Sequence, residues 1–327
     1  MDSPAPAESF HDVLVHYTDA QGLEGILRSN TLWATHWEHT NDAEELQTGL
    51  KLLEQFKKTK FWEDPAFRTA DFFDLDKLKE KEDAVGAENF WRDEINNIKQ
   101  TIIDSSFKLK KYICSFSGTN SKNEPYIQEN GRLSQWRAYG NYGIVFQKKA
   151  LDATKDSILN TDHRLSYMLD LKTVDYASAN ENIQHGTPLY CILRDNIKTF
   201  MQHYLSQEHN NNSFAGIDVC FKIIFIFKNK GFEEEKEHRL YIAYFPNDNM
   251  KPYEEITLRR NRIVPYTNLF CPRDANGDPI PLPIEKILIG PAHPGEQEER
   301  KKTVEALLRH LGKEHIDVHC SKIPYRG

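Results

Sequence analysis

The sequence predicts an α+β fold. Three observations carry that reading: the β-rich runs are short, the stretches at helical spacing are gathered into blocks rather than alternating one for one with strands, and no repeat or Pro/Gly/Ser linker divides the chain. The 327 residues are 39% hydrophobic, 11% aromatic and 28% charged, a folded protein's composition rather than that of a disordered or fibrous one. Length alone is compatible with two domains or one elaborated domain. Without a linker, the expectation is one unit over residues 1–327, with a helical insertion at about 42–110 and a second helical region at about 187–230.

Taken in order, Val13-Leu14-Val15-His16-Tyr17 is a first strand, and residues 20–29 form a helix with Leu23, Ile26 and Leu27 on one face. Leu32-Trp33-Ala34 is a second strand. From 42 to about 110 the chain is charged and helix-favouring, with one stripe through Leu46, Leu50, Leu53 and Phe56 and another through Phe90, Trp91, Ile95, Ile98 and Ile102. Strand signals return at 111–116 and 142–146, separated by a polar loop that ends in Gln135-Trp136-Arg137-Ala138-Tyr139-Gly140; long loops carrying aromatics often line sites. A strand at 171–176 precedes two helical candidates, 189–205 and 214–229. Strands follow at 238–245 and 284–290, then an amphipathic helix at 296–311 and an edge strand at 316–320.

Forty-two Lys plus Arg against 49 Asp plus Glu leave a net charge of −7, which argues against a broadly basic surface for gripping phosphates. The five cysteines, Cys114, Cys191, Cys220, Cys271 and Cys320, are scattered, odd in number and free of C-x-x-C spacing. Neither a disulfide framework nor a zinc knuckle is indicated, and a reducing cytoplasm fits best. The start lacks the basic and apolar regions of a standard secretion signal. The strongest apolar run, 219–227, is about half of the ~20 residues that a membrane span needs, so no membrane association is expected.

Several signatures are missing. G-x-G-x-x-G after a strand and G-x-x-x-x-G-K-[ST] are absent, as are G-x-S-x-G and H-E-x-x-H. Any nucleotide is therefore held by another geometry. His36-Trp37-Glu38-His39 presents two histidines three apart without a third ligand at fixed spacing. A polar turn, with Asn41 or Asp42 capping the next helix, explains it better than a metal site.

A second constellation is spread along the chain: His16-Tyr17-Thr18 at the end of the first strand, Ser115-Phe116-Ser117 at the end of another, and Glu235-Lys236-Glu237-His238-Arg239 leading into a third. Singly, each has a plain structural explanation. Together, the stretches H-Y-T, N-D-x-E-E, C-S-F-S, S-Q-W-R-x-Y-G and E-x-E-x-R resemble the widespread bacterial domain of unknown function 2971 family. The order histidine, serine or aromatic, Glu-x-Glu resembles the ADP-ribosyltransferase superfamily, with which that family is grouped. The similar islands run from His16 to near Gly290.

This resemblance implies a split antiparallel β-sheet core with helical insertions and a cleft for NAD as co-substrate. It implies that His16 bonds a ribose hydroxyl, that Ser115 or Ser117 supports the cleft, and that Glu237 and Glu235 are catalytic. The histidine start with a Ser-x-Ser middle combines two subgroup patterns. The implied activity is mono-ADP-ribosyl transfer to a macromolecular acceptor with release of nicotinamide, protein being favoured over nucleic acid, by an effector, toxin or defence protein resident in the cytoplasm or delivered into a target cell. The alternatives are an NAD glycohydrolase and a catalytically silent binding module.

The chemistry is coherent with these residues. Cleaving the nicotinamide–ribose bond develops positive charge at the ribose, which a fixed carboxylate such as Glu237 stabilises only in the transition state. Alternation along one strand places Glu235 on the face of Glu237, towards the incoming nucleophile. Tyr17, Trp136 and Tyr139 are candidates for an aromatic wall against the cationic nicotinamide, with core packing the competing reading of Trp136.

Overall fold

Alternation along strand β1 (Asp12–Thr18) sends Leu14 to one face of the sheet and Val13, Val15 and Tyr17 to the other, and both faces are buried. The computed structural model describes residues 12–40, 45–69, 74–120, 124–161, 168–178, 181–206, 226–244, 246, 254–259, 262–274, 276 and 278–324. Asn41 and Asp42 lie outside the described residues. Helix α1 (Ala20–Ser29) follows β1, its N-terminus capped by Asp19, whose side chain accepts from the Gly22 N–H. Then come β2 (Leu32–His36), α2 (Glu45–Lys57), α3 (Leu75–Val85), α4 (Ala87–Lys108), β3 (Lys110–Asn120), α5 (Pro125–Asn130), α6 (Leu133–Tyr139), β4 (Tyr142–Gln147) and α7 (Lys148–Thr161). The remainder comprises β5 (Met168–Thr173), β6 (Asp175–Ala177), α8 (Pro188–Ser206), β7 (Phe227–Asn229), β8 (Glu237–Tyr244), β9 (Glu254–Arg259), β10 (Arg262–Phe270), β11 (Ile284–Ile289), α9 (Pro294–His310) and β12 (Asp317–Cys320).

The fold is mixed α+β around a mostly antiparallel open sheet. Its order is β12-β11-β4-β1-β3-β2-β10-β9, with β8 on β3 and β5 on β8; β11 and β12 are parallel. The sheet is forked at β3. Because β8 pairs along one edge of β3 from Lys110 to Ser117, β1 and β2 share the other edge: β1 joins it from Ser117 onward and β2 at Tyr112 and Ile113. Cys114, Ser115 and Phe116 therefore face the gap between β1 and β2.

Three apolar clusters fix this arrangement. Leu23, Ile26 and Leu27 of α1 pack with Leu14, Phe116 and Leu240 and with Val304 and Leu308 of α9 on one face of the sheet. On the other face, Trp136 of α6 packs against Val13, Val15 and Tyr17. Farther along, Phe56, Trp91, Ile95 and Ile197, from α2, α4 and α8, close over Ile113 and Tyr241. The helical block between β2 and β3 thus shares its core with α8 and with the sheet.

Several expectations are corrected. Residues 135–140 are not the end of a loop: Gln135 to Tyr139 lie in helix α6, terminated by Gly140. The segment read as one strand at 171–176 breaks at Val174 into β5, in the main sheet, and β6, which pairs in parallel with β7 in a separate two-stranded sheet. Of the helix expected at 214–229, residues 214–225 lie outside the described residues, and Phe227–Asn229 is strand β7. The second helical region therefore does not reach 230. Ser115 and Ser117 sit inside β3, which runs on to Asn120, and not at its end. The hairpin β9–β10 went unread, although Ile256-Thr257-Leu258 and Ile263-Val264 carry β-branched residues in short apolar runs.

Candidate functional site

The fork of the sheet opens into a cavity of about 450 Å³. Its lining includes His16, Tyr17 and Thr18 of β1, Ser115 and Ser117 of β3, Gln135 and Tyr139 of α6, Lys228 of β7, Glu235 and Glu237. His16 lies on the Leu14 side of β1, whereas Ser117 and Glu237 are register partners on the opposite face. They border one cavity only because the sheet is split between them. The opposite wall comes from Trp33, Arg262 and Tyr266, the Trp33 and Tyr266 rings lying 4.7 Å apart, centre to centre.

His16 is held by its Nδ1, 2.9 Å from the Ser115 carbonyl oxygen. A carbonyl only accepts, so Nδ1 carries the proton in this bond. The Cys114 thiol lies 3.6 Å from the same nitrogen. The Ser117 hydroxyl donates to the Glu235 carbonyl at 2.7 Å, pinning the turn that leads into β8.

That turn separates the two carboxylates. Glu235 is not on a strand: it ends a short 3₁₀ segment, and Lys236, with φ 47°, turns the chain before β8 begins at Glu237. The expected strand alternation is therefore not what brings the pair together. Lys228 does so, its Nζ lying 2.7 Å from Glu235 Oε2 and 2.8 Å from Glu237 Oε2. Arg239 clasps Glu237 with Nε at 2.8 Å from Oε1 and Nη2 at 3.1 Å from Oε2. The Glu237 N–H donates to the Tyr176 hydroxyl at 2.6 Å, and Tyr139 OH donates to Glu235 Oε1 at 3.0 Å.

Two carboxylates and two cations make a neutral cluster, which lets Glu237 be buried with its side chain only 4% exposed. Burial by itself raises its pKa. Arg239 and Lys228 outweigh that and hold the carboxyl down at about 2, so it is an anion at every physiological pH. The same carboxylates raise Lys228 against the opposing effect of its own burial. A carboxylate offers about four acceptor positions, and the cations occupy three on Glu237, which leaves one.

Trp136 is not a wall of the cavity. Its indole sits in a socket formed by Gly131, Gly143 and Gly290, where an added Cβ would come within 2.7, 2.9 and 3.0 Å of the ring. Its Nε1 donates to the Asn130 carbonyl at 2.9 Å. Tyr17 meets it edge to face, with centroids 4.6 Å apart, and the Tyr17 hydroxyl accepts from the Arg132 N–H at 2.8 Å. Burial pushes the Tyr17 hydroxyl pKa well above its usual range. Trp136 thereby anchors α6, and the adjacent Gln135, with Tyr139 one turn on, turns to the cavity. Gly140 completes the geometry: at φ 136° it lies so close to β1 that a Cβ would fall 2.4 Å from the Thr18 carbonyl oxygen.

Sequence reasoning missed Lys228, Tyr176 and Gln135, and assigned no role to Arg239. A lysine directly after the apolar run 225–227 was the available signal, since a buried lysine needs a counter-charge. His36 ends β2 and His39 closes the 3₁₀ turn (Trp37–His39) that follows, and among the described residues no group of three or more His, Cys, Asp and Glu is placed to hold a metal ion. No helix among them is long and apolar enough to cross a membrane.

Residues 135–240, about a third of the chain, match the model of a family described as a protein of unknown function (DUF2971). The matched segment carries Gln135, Trp136, Tyr139, Lys228, Glu235, Glu237 and Arg239, so most of the charge cluster and all of helix α6 from Gln135 onward fall within it. No curated protein and no solved structure matches the chain.

Proposed function

We propose that the chain is an NAD-consuming mono-ADP-ribosyltransferase that acts on a macromolecular acceptor, protein rather than nucleic acid. The observation that supports this reading is the convergence of His16, Ser115, Ser117, Tyr139, Glu235 and Glu237 on one cavity at the fork of the sheet. Its volume is in the range of small-molecule and cofactor sites. Thr18 and Gln135 add two further polar side chains to the lining.

Bound there, NAD supplies the nicotinamide–ribose bond, which breaks with its electron pair leaving on nicotinamide. Glu237, permanently ionised, presents its remaining acceptor position to a ribose hydroxyl and its charge to the carbon that becomes positive. His16, its ring oriented by the bond from Nδ1 to the Ser115 carbonyl, lines the same cavity and faces the ribose. Glu235 is more exposed than Glu237, at 12% of its side chain, and takes the proton of the attacking group as the new bond forms. The four free cysteines among the described residues suit a reducing compartment, the cytoplasm of the producing or of a target cell.

Nicotinamide release from NAD by the purified chain tests the proposal. Glu237→Gln should lower turnover by roughly 10²–10³, the range for losing one preorganised electrostatic group. Glu235→Gln should lose transfer to the acceptor while slow hydrolysis survives. A binding module is the second reading, favoured by the hold of Lys228 and Arg239 on Glu237. NAD binding without any nicotinamide release would establish it and end the transferase reading.

A further inference from the structure

Gln135 brings a side-chain amide to the cavity wall. The residue as a whole is 6% exposed, and what remains open of it lines the cavity. A side-chain amide that opens on a cavity is available to a ligand carrying a matching donor and acceptor. Nothing about helix α6 requires a glutamine there: the anchoring is done by Trp136 in its glycine socket, and the helix end is set by Gly140.

Its place along the helix indicates what it meets. Tyr139 donates to Glu235, so this face of α6 lies against the carboxylate pair. Gln135 is one turn earlier on the same face, about 6 Å along the helix. On the proposed function, the carboxylates flank the ribose carbon whose bond breaks, and the ring attached to that carbon lies within reach of the next turn.

We propose that Gln135 reads the carboxamide of the nicotinamide group, so that the site takes the amide and discriminates against the matching acid or ketone. This rests on the NAD reading and adds to it the residue that sets base specificity. A primary amide carries a donor and an acceptor side by side, and so does glutamine, so the two pair through two parallel hydrogen bonds. A carboxylate lacks the donor and adds a charge near Glu235 and Glu237. A methyl ketone keeps the acceptor and leaves the Gln135 carbonyl unpaired. Sites built to bond an N–H or O–H discriminate strongly against analogues that lack it.

The experiment uses the free bases, which bind without turnover: nicotinamide, nicotinate and 3-acetylpyridine, titrated by calorimetry into the wild-type chain and into Gln135→Leu and Gln135→Asn. The wild type should bind nicotinamide at least about tenfold more tightly than 3-acetylpyridine, with nicotinate weakest. Gln135→Leu should bring nicotinamide and 3-acetylpyridine to within about twofold of each other. Equal wild-type affinities for these two bases, or an unchanged preference in a folded Gln135→Leu or Gln135→Asn, would overturn the assignment. Nicotinamide release from NAD is followed in parallel. Release by the wild type without any preference traceable to Gln135 defeats this inference alone, whereas neither release nor binding of NAD and nicotinamide defeats the transferase reading and this inference with it.

Discussion

Replacing Glu237 by glutamine tests the charge cluster through stability as well as catalysis. The carboxyl is held at about 2 instead of the ordinary 4.5 by Arg239 and Lys228, against its own burial. A carboxylate depressed on folding stabilises the protein above its ordinary pKa and stops doing so as pH falls through its folded value. The difference corresponds to about 3 kcal/mol, complete at pH 7, eroding below about 4.5 and gone near 2. Glu237→Gln removes it and takes one negative charge out of the cluster, an unbalanced buried charge whose cost is about 3–5 kcal/mol. Urea unfolding followed by tryptophan fluorescence at pH 7, 5, 4 and 3 measures it. The gap between wild type and variant should be largest at pH 7 and 5 and shrink by more than half by pH 3. In Lys228→Met/Glu237→Gln one carboxylate and one cation are removed together, so the double variant should lose less than the two single losses combined. A pH-independent gap, or strict additivity, would mean that Glu237 is not an ionised group held by these two cations.

Other consequences concern helix α6. Trp136→Ala empties the glycine socket and should cost about 3–5 kcal/mol by chemical denaturation, with loss of any NAD binding because Gln135 and Tyr139 are carried on the same helix. Gly140→Ala brings a Cβ into the Thr18 backbone at a positive φ and should destabilise by at least ~1–3 kcal/mol, with a lowered melting temperature as the readout. Tyr139→Phe removes the hydrogen bond to Glu235 while keeping the ring; stability should change by no more than ~1.5 kcal/mol, and transfer to the acceptor should fall more than nicotinamide release does.

The sequence by itself determined the class of fold and most of its elements, because both rest on local periodicity. Leu23, Ile26 and Leu27 at helical spacing, the apolar stripes of α2 and α4, and the β-branched runs of β1, β4 and β11 each state their conformation within a few residues. The candidate residues His16, Ser115, Ser117, Glu235 and Glu237 were singled out from type and order along the chain, and they line one cavity. What joins them was not legible. The fork at β3 exists because β1 and β2 share one edge of that strand at different heights, a fact about pairing between segments far apart in sequence. Lys228 was concealed at the end of a run whose hydrophobicity suits a buried helix or a buried strand equally, and only its place beside β6 and the two carboxylates makes it the bridge between Glu235 and Glu237. Trp136 likewise reads as wall or core with equal ease on its own. Three glycines from separate parts of the chain decide for the core, because packing space is a property of what surrounds a side chain and not of the residue itself.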